Sequence, residues 1–145
     1  HPQEVAKYVI GDRGTESPAT SDHKAFLFSR EKNLLVIPIQ LAEFQDSQKP
    51  EPGGYGQYTF QGAYVFSLDL NGFSLKGRIT HADNQTDKSG YYWYSPFTIQ
   101  RSLYIGNNLY TISQGMVKAN SLADLSELAK VKLPVEANVY KGWVE

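Results

Sequence analysis

Three histidines, fifteen acidic residues and no cysteine restrict side-chain chemistry in this chain to imidazole, carboxylate, amine and hydroxyl groups. His23 is the first candidate. It adjoins Asp22 and follows a loop that contains Asp12, a combination suited to general acid–base work. A histidine at the entry to a strand serves equally to hydrogen-bond a nearby carboxylate or hydroxyl and hold the loop. That structural role is the preferred reading for His23, and also for His81 at the end of the apolar run 73–79. Asp12, Asp22, His23 and His81 are therefore assigned to a structural polar network, with no catalytic residue among them.

Residues 83–90, DNQTDKSG, place oxygen-bearing side chains at alternate positions before a closing glycine, the ligand type that Ca²⁺ prefers. Asp83 and Asp87 are weak ligand candidates. The spacing does not match an EF-hand loop and no acidic residue follows at the required distance, so a solvated loop is favoured and no cofactor is assigned. Asn84 opens an Asn-Gln-Thr glycosylation sequon. Tyr91, Tyr92, Trp93 and Tyr94, with Phe97 close behind, cannot all face one way on a strand. Some cover a core, and the others form either a lid or a contact surface for sugar or protein. The chain contains no glycine-rich phosphate loop with its lysine, no GxSxG elbow and no HExxH. Carboxylate pairs such as Asp83 with Asp87 or Glu16 with Asp22 are of the type a glycosidase uses, but spacing within loops sets no separation.

The elements that must position these residues read as strands. The 145 residues suffice for one domain with a core, and the two Trp, ten Tyr and seven Phe accompany many Val, Ile and Thr in short runs. Net charge is −1 with acids and bases interspersed, which gives no electrostatic footprint for nucleic acid. The longest apolar run, residues 34–39, is far short of the roughly 20 residues of a membrane span, so membrane insertion is not expected. Starting at His1, the chain reads as a piece of a longer protein.

The organising stretch is residues 22–39, DHKAFLFSREKNLLVIPI, a hairpin whose apolar runs imply that both faces are covered. Residues 4–10 alternate loosely as a leading strand, and 43–57 form a polar excursion. A second hairpin turns at Asn71-Gly72. Three short strands follow between 98 and 119, then a turn and a strand by 133, and an apolar tail, 135–145, expected to dock by strand pairing. Residues 26–37 align with 103–112 so that Asn33-Leu34 falls on Asn108-Leu109. Each unit, about 22–80 and 98–133, thus has four antiparallel strands. The expected core is Leu27, Val36, Ile37, Val65, Phe66, Leu103, Tyr104, Ile112 and Val117. The fold class is all-β, with about two β-propeller blades in a single partial domain. About 4 blades is the smallest usual ring, so this domain belongs to a larger propeller.

GDRGTESPATSDHKAFLFSREKNLLVIPI, followed by RSLYIGNNLYTIS and VKANSL, resembles the C-terminal portion of secreted β-propeller proteins of archaea and some bacteria, distant relatives of WD-repeat propellers. The resemblance implies an extracellular or cell-surface location, and it implies loop histidines that lock blades. The resulting expectation is a non-catalytic module for protein, glycan or self-association. Its partner is the remainder of the propeller or another chain. The alternative is a secreted hydrolase whose channel site uses His23 and Asp12 and is completed by other blades.

Overall fold

The computed structural model describes residues 1–45, 53–82 and 95–135. Eight strands fall into two sheets of four, each in sequence order and antiparallel throughout. The first holds β1 (Leu27–Ser29), β2 (Leu34–Glu43), β3 (Gln57–Asp69) and β4 (Gly72–Ile79). The second holds β5 (Arg101–Ile105), β6 (Asn108–Ile112), β7 (Met116–Ser121) and β8 (Glu127–Lys132). Two 3₁₀ turns, Pro18–Thr20 and His23–Ala25, lead into β1, capped by Ser17 and Asp22 side chains that accept the Ala19 and Lys24 amides.

Strand β2 is apolar on both faces, and each face has its own cluster. Leu34 and Val36 join Ala63, Val65 and Ile79 against Ile99 and Leu109, with Tyr104, Leu122 and Leu125 at the margin. This seam unites the sheets. Leu35, Ile39 and Leu41 line the other face with Tyr64 and Phe66, and Ile10 packs there from the N-terminal segment. Double coverage holds for β2 but not for β1, an edge strand that leaves Phe26 50% and Phe28 49% exposed. Gly62 in β3 marks a close approach, since a Cβ there would lie 2.2 Å from the Ile79 carbonyl oxygen.

The repeated hairpins occupy equivalent places, the first two strands of each sheet, but their alignment is out by one residue. Lys32 in the β1–β2 turn reaches Asn107 in the β5–β6 turn, so both turns lie at one end and the sheets are related by rotation. Rotation requires matched residues to face the same way. Leu34 faces the second sheet, whereas Leu109 faces back to the first. The counterpart of Leu34 therefore lies on the opposite face of β6, which carries Asn108, Tyr110 and Ile112. Apolar-on-apolar matching could not detect the slip, because β2 is apolar at every register.

Other expectations are corrected locally. Residues 4–10 form no strand. They lie across the first sheet's outer face through side chains, with the Tyr8 ring 4.9 Å from Phe66 in edge-on contact. The second hairpin turns at Leu70 and Asn71, one residue early, because Asp69 pairs with Gly72 and its carboxylate holds the Asn71 amide at 2.7 Å. Val36, Val65 and Phe66 are buried, but Leu103 is 39% exposed and Leu27, Ile37, Tyr104, Ile112 and Val117 are half-buried. Leu103, Ile112 and Val117 share the second sheet's outer face. Residues 136–145 of the expected docking tail lie outside the described residues.

Truncating the seam should cost far more than truncating a turn. Leu109→Ala is expected to lose about 2–5 kcal/mol, and Leu70→Ala, at a position 94% exposed, to stay within about 0.5 kcal/mol. Urea unfolding of both variants measures the difference.

Candidate functional site

Polar groups cross the seam between the sheets at several points. His81, 1% exposed, leaves the end of β4 and sets Nδ1 2.9 Å from Ser113 Oγ and Nε2 2.9 Å from Thr111 Oγ1. Ser113 Oγ also donates to the Met116 carbonyl at 3.3 Å, so it accepts from the ring. Both nitrogens are engaged by the second sheet. Beside them, Lys118 Nζ donates to the Thr80 carbonyl at 2.9 Å and pairs with Glu127 at 3.2 Å. The Lys118 contact holds the Glu127 carboxyl below its ordinary range.

Gln61 provides a second clamp that sequence reasoning missed. Its side chain, on a buried residue of β3, accepts from the Ile99 amide at 3.2 Å and donates to the Ile99 carbonyl at 3.3 Å. It pairs with a single residue of the chain entering β5 as a neighbouring strand would. The available signal was a lone glutamine inside an apolar run, since such an amide requires partners when buried. Ser29 Oγ and the Tyr104 hydroxyl, 3.1 Å apart, make a third link.

The other polar residues singled out are separated. Asp12 accepts the Phe44 amide at 2.8 Å near the end of β2. Asp22 caps the second 3₁₀ turn and meets Arg101 at 3.1 Å, and His23 is exposed. No hydrogen bond or ion pair joins Asp12 to His23 among the described residues. Asp83, Asn84, Asp87, Tyr91, Tyr92, Trp93 and Tyr94 lie outside the described residues. Within them, no three His, Cys, Asp or Glu side chains cluster as metal ligands would.

These clamps carry measurable stability. His81→Ala leaves Thr111 and Ser113 without their ring partner inside the seam, and Gln61→Leu leaves the Ile99 backbone unpaired. Each is expected to cost about 2–4 kcal/mol, from the penalty for orphaned buried polar groups. The shift in urea midpoint at constant slope checks both.

A family model described as the beta propeller domain matches residues 1–125, covering the first sheet and three strands of the second. No curated protein and no solved structure matches the chain. With two four-stranded antiparallel sheets packed face to face and related by rotation, the chain belongs to the beta propeller domain family, and its sheets are blades.

Proposed function

We propose that these blades form a non-catalytic assembly module whose outer face takes a further four-stranded sheet. The observation that carries this is the far side of the second sheet. There Leu103, Ile105 and Val131 are 39%, 65% and 59% exposed, with Tyr110, Ile112 and Val117 half-buried around them. The strand registers place all six on one face. Covering each large side chain is worth roughly 1.5–3 kcal/mol. The opposite end of the pair differs, because residues 6–10 already lie over the first sheet's outer face.

A further blade fits best, since the seam between the two sheets demonstrates how this architecture covers such a face. The additional sheet can belong to more of the same polypeptide, to another protein or to a copy of this chain. An extracellular or cell-surface setting accompanies the proposal, supported by the resemblance to secreted propellers and by the sequon at Asn84. A glycan-binding role would fall to Tyr91, Tyr92, Trp93 and Tyr94, on sequence grounds. The hydrolase alternative needs His23 and Asp12 to converge, and the Asp12 carboxylate, which accepts the Phe44 amide, does not favour it.

Analytical ultracentrifugation at micromolar concentration provides the test. The native chain is expected to associate, and the pair Ile105→Lys with Val131→Lys to shift it to the 16.3 kDa monomer. A soluble, cooperatively folded monomer of the native sequence would overturn the proposal.

A further inference from the structure

A cleft opens between the blades at the end where the β1–β2, β5–β6 and β7–β8 turns meet. Its volume is about 320 Å³, and it is lined by Lys32, Leu34, Ser67, Lys76, Asn107 and Leu122. That is within the range of small-molecule sites, about 300–1,000 Å³. Two ammonium groups border it, and among the described residues no carboxylate does.

Each lysine is held by a neutral acceptor. Lys32 donates to Asn107 Oδ1 at 3.4 Å and lies 5.5 Å from the Tyr104 ring centroid. Lys76 donates to the Leu122 carbonyl at 2.5 Å. Neither forms an ion pair among the described residues. Of the acids nearby, Asp69 takes the Asn71 amide, Asp124 takes the Ser126 amide and hydroxyl at 3.0 and 2.7 Å, and Glu31, next to Lys32 in the turn, is exposed and does not line the cleft. An ammonium has three N–H donors, so each lysine keeps two after its one contact. Leu122, half-buried, and the exposed Ala123 supply the apolar surface of the cleft.

We infer that this inter-blade cleft binds a small organic oxyanion, a phosphate monoester or a carboxylate carried on a compact apolar body. Lys32 and Lys76 take the charged group through charge-assisted hydrogen bonds. Asn107 and Ser67 complete the polar side, and Leu122 with Ala123 contacts the apolar portion. Both lysines come from the first blade, Lys32 from the β1–β2 turn and Lys76 from β4, and the Asn107 and Leu122 that hold them lie in turns of the second, so an anion bound among them spans the two blades.

Titration of the full chain with phenyl phosphate, benzoate, inorganic phosphate and phenol, followed by amide chemical shifts, tests this. At least one of phenyl phosphate and benzoate is expected to give saturable shifts at Asn107 and Leu122 that weaken with added salt, and phenol none. Whichever of the two binds more tightly identifies the anion class, and inorganic phosphate should bind more weakly than phenyl phosphate if phosphate is preferred. Lys32→Gln and Lys76→Gln should each weaken binding about tenfold while leaving the melting temperature nearly unchanged. No saturable shift with either organic anion would overturn the inference, as would phenol binding equally well or unaltered affinity in the double variant. If the double variant does not fold, affinity of the native chain that is insensitive to salt overturns it instead.

Discussion

Side chains on a strand alternate between two faces, and β2 presents an apolar set to each, so that neither face of the first blade can be left to water. Leu34 and Val36 on one side and Leu35, Ile39 and Leu41 on the other commit the strand to burial within a stack of layers. The seam of Leu34, Val36, Ala63, Val65 and Ile79 against Ile99 and Leu109 meets that demand on one side. The placement of every other group between the blades follows from this contact.

Apolar packing by itself selects weakly among registers, because one branched side chain substitutes well for another. The polar clamps select strongly. Gln61 fits only where the Ile99 backbone presents one donor and one acceptor together, and His81 fits only between the hydroxyls of Thr111 and Ser113. A shift of either sheet would leave several buried groups unpaired, at a cost well above that of a displaced methyl group. The apolar seam supplies cohesion, and the clamps specify one angle and one register.

The two outer faces are treated differently. On the first blade, Tyr8 and Ile10 lie over Phe66 and its neighbours without donating to any strand ladder, so the N-terminal segment shields the face by side-chain contact alone. On the second blade, Leu103, Ile105 and Val131 remain accessible. Among the described residues no further sheet covers that face, as expected of a fold in which each blade is completed by the next.

Much of this was legible in the chain itself. Alternating and continuous apolar runs, turn residues such as Asn71-Gly72 and the matching of residues 26–37 with 103–112 determined an all-β chain of two four-stranded units, because side-chain period and turn chemistry are local properties. What tertiary structure decided was which face each residue occupies and what lies opposite it. Residues 4–10 read as a strand by pattern, yet they cover a face, because no ladder pairs with them and Tyr8 and Ile10 find apolar contacts there. Leu34 and Leu109 match as letters but point in opposite rotational senses, a difference of one residue that an all-apolar strand cannot report. His81 reads from the sequence as a candidate structural histidine, and its partners 30 and 32 residues away are identified only once the blades are packed. The same holds for Gln61 with Ile99 and for Lys32 with Asn107, groups brought together from separate strands and turns by the blade-to-blade contact.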